Sequence, residues 1–144
     1  MSILQQFTPG SQQAEQAKYA LLYSAALDQN HIKITSDSLI RKAWNYYKHH
    51  PKDLRNQCTT LYYWGRIKLR ANDKAGALRL FLEIEKKLKD TNEPYYKGLL
   101  YSQIGEVYYA QMNYNRAYHY FRESRNNFRQ SENLREETEA TLDM

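Results

Sequence analysis

Apolar side chains recur at helical spacing in two neighbouring segments of the second half of the chain. They are Leu99/Leu100, Ile104 and Tyr108 in the first segment, and Ala117, Tyr118, Phe121 and Phe128 in the second. Spacings of three and four residues place such side chains on one face of an α-helix. The short polar stretch Met112-Asn113-Tyr114 separates the two segments and predicts a tight turn. The pattern therefore predicts two amphipathic helices that pack against each other as a hairpin.

Small residues predict how this hairpin packs. Gly105 in the first helix and Ala117 in the second leave room for the two backbones to approach closely, and Phe121 can fill the space beyond the crossing.

The same reading along the rest of the chain predicts further helices over residues 12–29, 38–49, 53–71 and 74–89, with an extended connection over 30–35. Helix starts are predicted from Ser11, from Ser36 or Asp37, from Asp73, from Pro94, and from Ser131 for a last segment over 132–142. The positions expected to face inward are Ala17, Tyr19/Ala20, Tyr23 and Leu27 in the first of these helices, and Leu39/Ile40, Ala43/Trp44 and Tyr47 in the second.

These positions carry a family resemblance. Tyr101, Ile104, Gly105, Tyr108, Ala117, Phe121 and Ser124 stand at the signature spacing of the tetratricopeptide repeat (TPR), a helix-turn-helix unit. A second copy lies 40 residues upstream, at Leu61, Trp64, Gly65, Ala77, Phe81 and Ile84, with Lys68 where the first copy has Tyr108. A looser third copy has Ala43 and Tyr47, with Ser24 or Ala25 in place of the glycine.

The resemblance implies an all-α fold: a right-handed α-solenoid of about three TPR-like hairpins plus partial terminal helices. Residues 1–144 would form a single TPR-like domain, with hairpins over about 12–50, 53–89 and 94–129. Residues 2–7 are similar to the end of a helix, and 132–142 to the beginning of another. We therefore expect the chain to be a piece of a longer array.

The resemblance also implies a function, namely a non-catalytic scaffold that binds a peptide or protein in a concave groove. The chain is similar to the TPR segments of bacterial regulatory proteins. In the family, the first helix of each repeat lines the groove. The matching positions are Thr59, Tyr62, Arg66, Leu69 and Arg70 in one repeat, and Leu99, Ser102, Glu106, Tyr109 and Ala110 in the next.

The groove positions favour a partner of a particular chemistry. Tyr62, Arg66 and Arg70 are four residues apart and share one stripe of a helix. Arginines beside a tyrosine suit a carboxylate with an apolar neighbour. Chaperone-binding TPRs carry lysine and asparagine at two of these places, where this chain has Tyr62 and Arg66, so chaperone tails are not the expected ligand. The competing interpretation of the stripe is an exposed helix face with no ligand.

Two other functions stay open at this point. The repeats could serve only a structural role, by stacking on further repeats or by self-association. The stretch from Arg41 to Lys89 has thirteen Lys/Arg against four Asp/Glu, which would attract anions such as nucleic acid. Its basic residues are scattered with no run of five or six, so direct binding of nucleic acid is the least favoured function.

Composition and motifs also bear on whether the chain is an enzyme, binds a metal or spans a membrane. No catalytic motif, cofactor-binding loop or metal-ligand spacing is present, and the adjacent His49 and His50 point about 100° apart on a helix. Cys58 is the single cysteine and cannot form an internal disulfide. No apolar run is long enough to cross a membrane. We therefore predict a segment that is neither an enzyme nor inserted in a membrane, with its compartment, cytoplasm or periplasm, depending on segments beyond these ends.

Overall fold

A computed structural model describes residues 9–142, with side chains described for 12–137. It contains six helices and, within that range, no strand. The helices are α1 (Pro9–Gln29), α2 (Ser38–Tyr47), α3 (Leu54–Arg70), α4 (Lys74–Leu88), α5 (Pro94–Ala110) and α6 (Tyr114–Leu142). The predicted all-α class is confirmed. The expected helical end over residues 2–7 lies outside the described residues.

The chain divides into two compact units, Met1–Leu80 and Phe81–Met144, with the boundary inside α4. The first contains α1, α2 and α3, and the second contains α5 and α6. Each unit is described by itself below.

The core of the first unit forms where α1, α2 and α3 meet. Its buried side chains are Ala17, Ala20, Leu21, Ile40, Ala43, Tyr47 and Ile67. The buried residues of α1 and α2 recur at spacings of three and four, so each helix presents one apolar stripe to the others. The small residues Ala17, Ala20 and Ala43 allow the helix axes to approach closely.

Helix α1 differs from its sequence prediction in two respects. It begins at Pro9, so Ser11 lies inside the helix and is not its N-cap. Proline fits the first turn because its missing N–H would have no partner there. The side chains of Tyr19 and Tyr23 were expected to face inward, but Tyr19 is 65% exposed and stacks on Tyr23 at the surface, while Leu21 and Ser24 are buried. The prediction was correct for Ala17 and Ala20, which are buried, and wrong for the two tyrosines, because tyrosine is apolar enough to mimic a core residue.

Side-chain hydrogen bonds cap the end of α2 and the beginnings of α3 and α4. Asp53 accepts a hydrogen bond from the backbone N–H of Asn56 at the start of α3, and Asp73 accepts one from Gly76 at the start of α4. The buried side-chain amide of Gln57 donates to the carbonyl oxygen of Tyr47, which ends α2. The caps satisfy backbone groups that helix ends leave without partners.

The second unit is organised by a hairpin of α5 and α6. A methyl group built on Gly105 would lie 2.6 Å from the ring of Phe121, and one built on Gly98 would lie 2.7 Å from the ring of Phe128. The two glycines are seven residues apart, as are the two phenylalanines, so the same contact repeats after two turns of an antiparallel pair. The hydroxyl of buried Ser124 donates to the carbonyl oxygen of Gly98 at 2.7 Å. The sequence placed Gly105 opposite Ala117, but its contact is with Phe121.

Helix α6 is longer than predicted. The sequence suggested that one helix ends near Arg129 and that Ser131 caps another over 132–142. The structure has one continuous helix, Tyr114–Leu142. No glycine or proline interrupts residues 129–132, so the backbone hydrogen bonds continue through Ser131.

The turns before α4 and before α6 have the same geometry. Asn72 and Met112 both have positive φ, at 62°, and the next residues, Asp73 and Asn113, each accept a hydrogen bond from a backbone N–H three residues on. Ala77 and Ala117 follow at equivalent positions and are both buried. The 40-residue sequence repeat is therefore also a repeat of local structure.

Candidate functional site

Two arginines that the sequence assigned to a groove converge on Asp28. The Nη2 of Arg70 lies 2.8 Å from Oδ1 of Asp28, and the Nε of Arg66 lies 3.3 Å from its Oδ2. Arg70 also donates to the carbonyl oxygens of Ile32 and Asp28, at 2.6 and 3.3 Å. The guanidinium of Arg70 thus ties α3 to the end of α1 and to the connection that follows it.

The position of Asp28 explains why its carboxylate is paired with two arginines. It lies one residue before the end of α1, where the negative end of the helix dipole disfavours a carboxylate. Its side chain is only 14% exposed, so water compensates little of that cost. Arg66 and Arg70 supply the opposite charge, and their exposed fractions of 28% and 19% make this ion pair much less screened than a surface one.

A small open cleft adjoins this ion pair. Its lining is mostly apolar, with Asp28 and Arg70 on one side: Ser24, Leu27, Asp28, Ile32, Ile34, Ser36, Leu39, Ile67 and Arg70. The cleft lies entirely within the first unit. Its aliphatic lining with a single ion pair at one side suits an apolar side chain better than a charged ligand.

A second carboxylate, Asp37, connects other elements of the first unit. Its Oδ2 accepts a hydrogen bond from the indole Nε1 of Trp64 at 3.0 Å and lies 3.7 Å from the Nζ of Lys68. Lys68 also reaches the carboxylate of Asp73 at 3.7 Å. Because Asp37 is committed to these contacts, its side chain does not cap α2; the hydroxyl of Ser36 accepts from the N–H of Ser38 instead.

Lys68 in α3 and Tyr108 in α5 occupy equivalent positions of the repeat, but their side chains make different kinds of contact. Tyr108 is buried and stacks on Tyr120, with ring centroids 5.7 Å apart. Its hydroxyl accepts a hydrogen bond from Arg116 at 3.3 Å. At this repeat position Lys68 therefore forms ion pairs, whereas Tyr108 forms aromatic contacts in the next repeat.

Tyr101 and Tyr120 form an aromatic cluster in the second unit, with ring centroids 5.7 Å apart, and both have raised pKa values. Burial, followed by the nearby carboxylate of Glu85, raises the pKa of Tyr120 to about 12. The Tyr120 hydroxyl donates to Oε1 of Glu85 at 3.3 Å, and this bond favours the neutral phenol. Burial and the same carboxylate also raise the pKa of Tyr101. The cluster holds neutral hydroxyls and so serves packing and hydrogen bonding.

The other predicted binding residues lie on α3 and α5 and differ in exposure. On α5, Glu106 and Tyr109 are exposed and Ser102 is half-buried, and the ring of Tyr109 contacts that of Tyr114 at 5.4 Å. On α3, Tyr62 and Leu69 are half-buried, and the ring of Tyr62 lies edge-on to that of Tyr63. Each set shares a helix, and the α3 set and the α5 set belong to different units.

Sequence reasoning missed Asp28 and Asp37, the acidic partners of the first unit. Asp28 lies near the end of α1 and Asp37 just before α2. Their ion-pair partners on α3 are more than thirty residues away in sequence, at Arg66 and Arg70 for Asp28 and at Lys68 for Asp37. The available signal was chemical: an aspartate in the last turn of a helix is unfavourable alone and indicates a cationic partner elsewhere.

The described residues contain no group of three His, Cys, Asp or Glu side chains placed to hold a metal ion. His50 instead stacks on Tyr46 and contacts its carbonyl oxygen through Nδ1, and the thiol of Cys58 is buried. Within the same range, no helix is both long and apolar enough to cross a membrane.

Comparison of the chain with protein-family models, with curated proteins and with solved structures finds no match.

Proposed function

We propose that this chain is a non-catalytic scaffold of TPR-like hairpins, arranged as a right-handed α-solenoid, that binds a peptide or protein through the first helices of its repeats. The observation that carries the proposal is the structural repeat. The turn at Asn72 and Asp73 and the turn at Met112 and Asn113 share a positive φ, an N-cap and a buried alanine after it. Repeated helical hairpins generally serve as surfaces for other chains.

The contacts of the arginines change which residues are assigned to recognition. Arg66 and Arg70 bind Asp28, so a carboxylate on the partner would have to compete with an internal one. We therefore assign these arginines to holding α1 against α3. Recognition falls to the exposed side chains of Glu106 and Tyr109 on α5, with Ser102 on the same helix, and Tyr62 is a separate candidate on α3.

Peptide selection tests this assignment. A library of random peptides displayed on phage would be selected against the whole chain, and the affinity of the winning peptide measured by calorimetry. Glu106→Ala with Tyr109→Ala should weaken binding at least tenfold, since truncated aromatic anchors commonly cost more than about 1 kcal/mol. The matched control is Glu83→Ala with Lys86→Ala on α4, two exposed residues that form an ion pair with each other. Equal losses from the two double variants would contradict a site on α5.

A further inference from the structure

One face of α6 carries a basic half followed by an acidic half. We call it the charge stripe; it consists of Arg122, Arg125, Arg129, Glu132, Glu136 and Glu139. The successive spacings alternate between three and four residues, so all six positions lie on one face of the continuous helix Tyr114–Leu142. The five positions up to Glu136 are exposed.

The charge stripe does not face α5. The contacts with α5 come from a neighbouring line of α6 that includes Phe121, Ser124 and Phe128. Continuing the Gly98–Phe128 register by four residues puts Pro94, the first residue of α5, level with Glu132. The acidic half of the stripe therefore lies on the part of α6 that extends beyond α5.

The charges of the stripe are poorly neutralised within the described residues. Neither Arg125 nor Arg129 forms an ion pair there, and Arg122 lies over the ring of Tyr118 with its Cζ 5.9 Å from the centroid. Glu132 accepts a hydrogen bond from Arg135 at 3.1 Å and does not engage Arg129, although these two are only three residues apart. The basic half thus presents three exposed guanidinium groups.

We propose that the charge stripe is a homodimerisation surface, on which α6 pairs with the α6 of a second copy in antiparallel orientation about a two-fold axis between Gln130 and Ser131. In that register Arg129 lies opposite Glu132 of the partner subunit, and Arg125 lies opposite Glu136 of the partner subunit. Both pairs share one centre, and the symmetry repeats them, which gives four opposite-charge pairs.

The charge order selects this arrangement over its alternatives. A parallel pairing would set arginine against arginine and glutamate against glutamate, which is repulsive. An acidic peptide or a nucleic acid would engage only the basic half and would meet repulsion from the acidic half. A second copy is the one occupant that satisfies both halves of an isologous contact.

Apolar contact is available at the outer ends of the pairing. Tyr118 is 68% exposed and Phe121 is 39% exposed on the adjoining line of α6. The proposed surface shares no residue with the α5 site, so either proposal can fail while the other stands.

Charge reversal with complementation is the direct test, read by sedimentation velocity on the whole chain. The wild type should associate at about 0.1 M salt and dissociate towards 1 M, because the Debye length falls from about 10 Å to about 3 Å. Arg125→Glu with Arg129→Glu should be monomeric, as should Glu132→Arg with Glu136→Arg. An equimolar mixture of the two variants should form a one-to-one heterodimer.

Matched controls keep this test falsifiable. Arg79→Glu with Lys86→Glu, a pair of exposed reversals on α4, should leave association unchanged. Circular dichroism checks that each variant keeps its helices. A wild type that stays monomeric at its highest soluble concentration and low salt would overturn the proposal, as would reversal variants that do not recognise each other. Binding of an acidic peptide or of nucleic acid by a monomeric wild type would assign the stripe to that partner instead.

Cross-linking tests the register. Chains with Arg125→Cys should be joined to chains with Glu136→Cys by a short thiol-specific linker, whereas neither variant should be joined to itself. In the proposed register the two copies of residue 125 are eleven residues apart along the helix axis, or about 16 Å. Efficient self-linking of either variant would exclude the antiparallel pairing.

Discussion

The ring of Phe121 lies against the backbone of Gly105 so closely that a methyl group on the glycine would sit 2.6 Å from its Cε1 atom. No real side chain tolerates that separation without movement of the ring. This contact and its counterpart between Gly98 and Phe128 set how near α5 and α6 approach.

Substitution of Gly105 should therefore loosen the second unit. We expect Gly105→Leu to cost about 1–3 kcal/mol of unfolding free energy or more, because the added side chain overpacks the crossing. Ala75→Leu, at an exposed position of α4, should change it by less than about 0.5 kcal/mol. Urea denaturation gives both values.

A double-mutant cycle tests whether the close approach of the Phe121 ring is the reason that a side chain at Gly105 is destabilising. Gly105→Ala should be destabilising alone, and less so when Phe121→Leu has removed the ring, with a coupling of about 0.5 kcal/mol or more. Additive effects would show that Gly105 is small for another reason.

The two phenylalanines at equivalent repeat positions should differ in importance. The sequence predicts equal destabilisation, but Phe81 is 0% exposed and Phe121 is 39% exposed. We expect Phe81→Ala to cost about 3–5 kcal/mol. Phe121→Ala should cost distinctly less, because part of its ring already meets water. Thermal denaturation distinguishes them, with exposed Arg79→Ala as the neutral reference; equal losses would contradict the burial difference.

Asp28→Asn should destabilise the first unit. The change leaves Arg66 and Arg70 without their carboxylate in a mostly buried place, and we expect a loss of about 1–3 kcal/mol, between the values for exposed and buried ion pairs. Asp90→Asn, at an exposed position, is the control. Chemical denaturation that gave equal midpoints for the two variants would show that the ion pair contributes nothing.

Tyr120 should make stability fall at alkaline pH. Its folded-state pKa of about 12 exceeds the ordinary value of 10.0, so between these values the unfolded chain has lost the proton while the folded chain keeps it. The folded state then binds more protons, and its stability decreases as pH rises from about 10 to about 12. The contribution is fully present below pH 10.

Difference absorbance of phenolate measures this directly. Subtracting the titration of Tyr120→Phe from that of the wild type should reveal one late-titrating tyrosine. Glu85→Gln should move that titration towards 10, because it removes the negative charge and replaces the carboxylate acceptor of the hydrogen bond with a weaker amide acceptor. Glu83→Gln, an exposed neighbour on α4, should not move it.

Local chemistry was readable from the sequence alone. The helical period, the N-cap at Asp73, the turn at Asn113, and Pro94 in the first turn of α5 depend on neighbours within four residues. The 40-residue repeat was visible for the same reason, since each copy repeats a local pattern. Predicted helix boundaries were wrong where the local signal was ambiguous. Ser131, for example, can cap a helix, but in the structure it lies inside one.

Only the tertiary structure decided which partners the charged and aromatic side chains have. Asp28 and Arg70 are 42 residues apart in sequence, and no local rule connects an aspartate at one helix end with an arginine at another. Tyr19 and Phe81 are both aromatic residues at helical spacing, yet one is exposed and the other is fully buried. Periodicity gives a helix its face, but which face is covered depends on the helices that meet it, and that is a property of the packed chain.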